Sequence, residues 1–213
     1  MAKSLMMAAE SSYPAMARPV AVVSSAFCVP YVVDLTIVRK LIAVTDGNFL
    51  VTDVDDNTVF RVRGAHFSFH DRRVLLDAAG HPVATLRQKK LTAHRRWQVF
   101  RGESSDSEDL LFSAKKSSLI QYKTELDVFL AANTKEDVPN FKVEGSWLER
   151  SCTIYAGDSS MVIAQMHTKH TVQKVVLGKD TFSVTVYPNI DRAFITALIV
   201  ILEEINEDKD NDD

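Results

Sequence analysis

Cysteine is scarce in this chain. Cys28 and Cys152 are the only two among 213 residues. That excludes a disulfide framework and a multi-thiolate zinc site, and it fits a reducing, intracellular home. Glycine is nearly as scarce, at seven residues, so little material exists for a loop that cradles phosphate. No G-x-S-x-G, Walker loop, G-x-G-x-x-G or H-E-x-x-H segment occurs, and no catalytic mechanism is indicated by motif. The expectation is a non-enzymatic protein with no cofactor. Neither sign of charge dominates, the net value being −3. A global nucleic-acid signature is thereby excluded, and any basic face must be local.

Weak metal patterns are present and fail on inspection. His167 and His170 are spaced i, i+3 in a segment that reads as a strand, so their side chains point to opposite faces. "DVDDNT" (Asp53–Thr58) begins like a calcium loop, but Thr58 stands where that loop needs glycine and Gly64 where it needs a bidentate glutamate. Cys28, between Phe27 and Val29, reads as a core thiol in an apolar strand. No metal site is expected.

Apolar residues make up 46% and charged residues 25%, enough for one substantial core. Through the middle of the chain, short alternating runs are separated by turn chemistry. "FLVTDV" and "TVFRVRG" flank Asp55-Asp56-Asn57. Arg73–Lys89 repeats the device around Asp77-Ala78-Ala79-Gly80, and Cys152–His170 around Gly157-Asp158. Further strand candidates are "LTIVRKLIAV", "WQVFRG", "LLFSAKKSS", "ELDVFLAA", "FKVEGSW" and "FSVTVYP". So many short runs at even spacing point to a mainly β closed barrel or sandwich and not to βαβ units. "ESSDSED" (Glu103–Asp109) reads as an exposed hairpin loop open to phosphorylation, a plain solvated loop being the simpler alternative.

Near the end stands "DRAFITALIVILEEIN" (Asp191–Asn206). From Ala193 to Leu202 only Thr196 is polar. At 1.5 Å per residue this run covers ~15 Å, whereas a bilayer core is ~30 Å thick, and Asp191, Arg192, Glu203 and Glu204 close both ends. No transmembrane span is expected. Pro188-Asn189 supplies a break and an N-cap, with Asp191 in the first turn, which favours a helix. A helix apolar all round is buried on every side, so a sheet rolled around a central helix is expected. The domain organisation that follows is a mobile leader at 1–18, one barrel domain at 19–206 and an acidic disordered tail at 207–213. The acids of Glu203–Asp213 exceed its one lysine by six, as in solvated tails.

One stretch departs from the charge balance. Between Arg61 and Arg96 nine basic residues face two acids, Asp71 and Asp77. Its densest part, "RQKKLTAHRRW", brings together Arg87, Lys89, Lys90, Arg95 and Arg96, followed by Trp97. Basic residues beside an aromatic suit anionic phospholipid headgroups or nucleic-acid phosphates. A strand edge protected by charge is the alternative. The five cations are the candidate lipid-binding residues, chosen on charge alone.

Val59–Gly102, "VFRVRG…FSFHDRRVLLDAAGHPVATLRQKKLTAHRRWQVFRG", resembles the signature of the plant LURP-one-related (LOR) family. The resemblance extends through "FKVEGSW", "AGDSSMVIAQM" and the terminal apolar run, covering roughly Val20–Glu204. It implies a tubby-like fold, a twelve-stranded antiparallel barrel threaded by a hydrophobic C-terminal helix, as in tubby C-terminal domains and phospholipid scramblases. Tubby domains bind phosphoinositides and are tethered to membranes before acting in the nucleus, and the family's name-giving member is tied to plant defence. The resemblance therefore implies a membrane-tethered regulator, with an unidentified protein as alternative partner. It is expected in the cytoplasm, at a membrane surface or in the nucleus. A scramblase-like lipid-handling protein and a DNA-binding transcriptional regulator are the other readings. The resemblance carries over no catalytic residue.

Overall fold

The structure is a computed structural model that describes residues 18–40, 48–64, 72–89, 96–117, 124–146, 151–167 and 181–210. Twelve strands occur in chain order: β1 (Val33–Lys40), β2 (Asn48–Thr52), β3 (Thr58–Gly64), β4 (Arg72–Asp77), β5 (Pro82–Lys89), β6 (Arg96–Arg101), β7 (Leu110–Lys116), β8 (Thr124–Leu130), β9 (Phe141–Ser146), β10 (Ser151–Ala156), β11 (Val162–His167) and β12 (Thr181–Val186). Each pairs antiparallel with the next, and β12 returns to β1 with Val33 opposite Val186, closing the barrel. Closure leaves no unpaired edge to recruit another chain. The barrel is filled by one helix, α1 (Arg192–Asp210).

Strand alternation decides what faces the helix. In β3, Phe60 and Val62 are buried while Arg61 and Arg63 are exposed. Register slips at Val51/Thr52, Leu75/Leu76, Val99/Phe100 and Ile154/Tyr155 all fall at one rim, where β2, β4, β6 and β10 end. This upper rim is also where α1 begins. Such irregularities increase strand twist, which a closing sheet requires. On β9, Gly145 has φ +150°, and a Cβ there would lie 2.2 Å from the Ser151 carbonyl oxygen and 2.7 Å from Cys152 Cα. The backbones of β9 and β10 approach too closely at this point for any side chain.

Every side chain from Ala193 to Leu202 is fully buried, and Phe194 meets Phe112 edge-on at 5.1 Å. The all-round apolar helix is therefore the centre of the core. Its cap differs from the expectation. Asn189 sits in the left-handed region at φ +64°, and Asp191 is the residue that caps. Its Oδ1 accepts from the N–H groups of Ala193 (2.9 Å) and Phe194 (3.2 Å). Oδ2 accepts from Val22 (3.2 Å), Val23 (2.7 Å) and Ser24 (2.9 Å). One buried carboxylate thus ties the segment before β1 to the start of the helix. Burial pushes its pKa up, against the downward pull of the N–H donors. Beside it, the Arg192 guanidinium donates to the Phe27 carbonyl at 3.1 Å.

At the opposite, lower rim, two inward-facing arginines meet the far half of the helix. Arg73 makes a two-pronged pair with Glu204, Nε to Oε1 and Nη2 to Oε2, both 2.8 Å. Arg39 lies 3.6 Å from Glu203. Each of these buried carboxylates thus has its charge opposed by an arginine.

The helix runs past Asn206 to Asp210, into the stretch read as a tail. One further expectation, on Cys28, is corrected. Cys28 is not in a strand. It follows a 3₁₀ turn at Ser25–Phe27, half-buried, with its thiol facing the Val20 carbonyl. Of the "LTIVRKLIAV" segment, Leu35–Lys40 lies in β1 and 41–44 lies outside the described residues, as does the 1–17 part of the predicted leader.

Candidate functional site

The outer wall of β3–β6 follows from the same alternation. With Val62, Leu75, Leu86 and Trp97 inside, Arg61, Arg63, Arg72, Arg87 and Lys89 fall on the outside. Arg72 stands directly opposite Arg87, and Lys89 opposite Arg96. Like charges facing each other across strands destabilise a sheet, so the wall carries an electrostatic cost.

The candidate cations fare differently. Lys90 and Arg95 lie outside the described residues. Arg96 is engaged: its Nη1 and Nη2 donate to Glu136 Oε1 and Oε2 at 2.7 and 2.6 Å, and Lys115 lies 3.4 Å from the same carboxylate. Glu136 comes from the β8–β9 connection at φ +54°, folded back against the wall, and the Arg96 guanidinium holds its carboxyl below the usual range. Arg87 has no acidic partner among the described residues, and Lys89 is exposed. Trp97 is only 1% exposed, so the aromatic beside the cations serves the core and not an interface. Arg73, too, leaves the wall for the interior.

Arg61, Arg63 and Arg72 were in the sequence's basic stretch but outside its densest part; the register sets Arg72 opposite Arg87 and Arg63 diagonal to Arg72, with Arg61 further along β3. The signal that identifies them is the period of two: Arg61 and Arg63 alternate with buried Phe60 and Val62. The β6–β7 connection lies over this region. Glu103 Oε1 is 3.4 Å from Arg63 Nη2, and the Glu103 carbonyl accepts from Arg72 Nη2 at 3.1 Å. Arg72 Nε is buried without a hydrogen-bond partner among the described residues.

The remaining features have local explanations. His167 is exposed and lies 3.0 Å from Thr185 Oγ1, while His170 lies outside the described residues. Asp53 accepts from the Asp55 and Asn57 N–H groups and from the Asn57 side chain, which is hairpin-turn chemistry. Among the described residues no group of three or more potential ligands gathers around one point. A cleft of about 250 Å³ on β8 and β9 is lined by Ser117, Glu125, Asp127, Lys142 and Glu144 among others. Its mixed charge defines no single ligand class. Among the described residues no helix is long and apolar enough to cross a membrane.

A closed twelve-stranded antiparallel barrel around a C-terminal hydrophobic helix, with a basic outer wall, defines the class of this protein. The LURP-one-related (LOR) family model matches residues 33–203. The chain is 57% identical over 187 residues to Protein LURP-one-related 15 of Arabidopsis thaliana, covering 88% of this chain and 86% of the relative. It is 50% identical over 192 residues to Protein LURP1 of the same plant, covering 90% and 93%. The X-ray structure of a protein from Arabidopsis thaliana superposes with a TM-score of 0.70 at 50% identity, covering 87% of this chain and 98% of that one. The chain belongs to the LURP-one-related family.

Proposed function

We propose that the barrel is a non-catalytic, membrane-peripheral module whose β3–β5 outer wall docks on anionic phospholipid headgroups, phosphoinositides foremost. The observation that supports this most directly is the Arg72–Arg87 cross-strand pair flanked by Arg61, Arg63 and Lys89, in a chain of net charge −3. A sheet carrying like charges face to face is relieved by an external anion. Each basic residue near an anionic surface contributes about 1 kcal/mol. With Lys90 and Arg95 next to it in sequence, the wall supplies enough cations for reversible, salt-sensitive attachment. In this reading Arg96 is a positioning residue, tied to Glu136, and contributes little to lipid contact. The plant-defence role implied by the family resemblance is taken as regulation by such tethering.

Co-sedimentation with vesicles containing phosphatidylserine or phosphoinositides tests the proposal. Binding at low salt is expected to fall about tenfold or more when Arg87 and Lys89 are both changed to Glu, from the loss and reversal of charge. Absence of binding at low salt, or binding indifferent to these substitutions and to Arg72→Gln, would overturn it.

A further inference from the structure

The loop that covers part of the basic wall carries three serines in an acidic setting, Ser104, Ser105 and Ser107, between Glu103 and Glu108-Asp109. They are not equivalent. Ser104 is half-buried, and its Oγ accepts from the Asp106 N–H at 3.1 Å. Ser107 is exposed but has Leu110 three residues on. Ser105 is exposed, its hydroxyl makes no hydrogen bond to a described residue, and Asp106 follows at +1, Glu108 at +3 and Asp109 at +4. That is the pattern an acid-directed serine/threonine kinase reads.

Position gives the modification a consequence. Glu103, two residues earlier, touches Arg63 through its carboxylate and Arg72 through its carbonyl. The Cα atoms of Glu103 and Ser105 are at most ~7 Å apart, within reach of an arginine side chain and a phosphoserine together. We infer that Ser105 is a phosphorylation site and that its phosphate pairs with Arg63 and Arg72, masking the basic wall. In the transfer, Ser105 Oγ attacks the γ-phosphorus of ATP and the bond to the bridging β–γ oxygen breaks. ADP departs, and the hydroxyl proton passes to the kinase's base.

The phosphate adds roughly −1.5 to −2 charge and acceptor oxygens suited to guanidinium. The Nε of Arg72 is buried with no hydrogen-bond partner among the described residues. Set against Arg61, Arg63, Arg72 and Arg87, with Glu103 opposing them among the described residues, that charge removes about half or more of the excess. The masking effect rests on the lipid-docking reading; the site and its arginine pairing do not.

The experiment treats the full chain with an acid-directed kinase and ATP and maps the product by tandem mass spectrometry. Phosphate on Ser105, abolished in Ser105→Ala and suppressed in Glu108→Lys/Asp109→Lys, is expected. Phosphate confined to Ser104 or Ser107, or none, overturns the assignment. Phosphorus NMR then follows the second ionisation of the phosphate. It is expected below that of a phosphorylated ESSDSED peptide and to return towards it in Arg63→Gln/Arg72→Gln. Titration identical to the peptide overturns the pairing. Vesicle binding of the modified protein is expected to be about 10- to 30-fold weaker than that of the unmodified protein, and equal binding overturns the masking. If the unmodified protein binds no vesicles, the docking reading falls and the masking falls with it, while the mass and phosphorus measurements still decide the site.

Discussion

Changing Asp191 to Asn is the sharpest test of how the barrel is closed at its upper rim. The carboxylate is completely buried and accepts five backbone N–H groups, three from Val22–Ser24 and two from the first turn of α1. Asparagine keeps the shape but offers one acceptor oxygen and a donor amide. If the oxygen stays with the helix as an N-cap, the amide faces three N–H donors. Each buried donor left unpaired costs about 1–3 kcal/mol, so the substitution is expected to destabilise by roughly 3–6 kcal/mol. Domains have only ~5–15 kcal/mol in total. For a chain of this length the loss corresponds to a melting temperature lower by roughly 10–20 °C. Urea titration followed by circular dichroism and by fluorescence of buried Trp97 measures it. Asp56→Asn is the control, since Asp56 is exposed at φ +62°, a conformation asparagine accepts. A loss below ~1 kcal/mol in Asp191→Asn, or one equal to the control, would refute the claim that one carboxylate fastens both segments.

Other predictions follow from the interior and the wall. Breaking the Arg73–Glu204 pair with Arg73→Met alone takes both guanidinium bonds from a buried carboxylate and is expected to cost about 3–5 kcal/mol, whereas Arg73→Met/Glu204→Leu recovers most of it; a double-mutant cycle in urea reads the difference. Glu136 has its folded pKa lowered by Arg96. The stability it contributes is therefore present above its unfolded value of about 4.3 and is lost as pH falls through the folded value. Glu136→Gln is accordingly expected to be less stable than the parent protein at neutral pH and to match it at a pH below the folded value, giving a flatter acid limb in urea titrations across pH. Gly145→Ala places a methyl group on the Ser151 carbonyl and is expected to prevent cooperative folding or to cost at least about 3 kcal/mol, which thermal melts will show.

The period-two alternation of "TVFRVRG" and the Asp/Gly-rich turns around Asp77–Gly80 made the hairpins legible. The all-round apolar character of Ala193–Leu202 placed the helix indoors, because nothing else could cover it. These are local patterns. What escaped were partners separated by long stretches of chain. Nothing near Asp191 announces that its second oxygen binds Val22–Ser24. Nothing near Arg96 announces Glu136, which approaches it only once the β8–β9 connection folds back. Arg72 and Arg73 are adjacent and alike in sequence, yet one lies on the wall and the other reaches Glu204. The alternation set by Leu75 separates them, but only the closed barrel gives each its partner. Trp97 misled for the same reason: its neighbours are basic, while its own parity with Val99 sends it inward.

The order in which the barrel and its filling are made has a consequence for biosynthesis. All twelve strands leave the ribosome before α1, so during translation the sheet has nothing to close around. Its inward apolar faces stay uncovered until the last turns of the helix are free, at synthesis rates of about 5–20 residues per second. A ribosome stalled anywhere before residue 203 releases a chain with an open, adhesive sheet in place of a smaller working domain. A chain that ends before Glu204 lacks the far half of the filling, so it is expected to expose apolar surface that the full barrel covers.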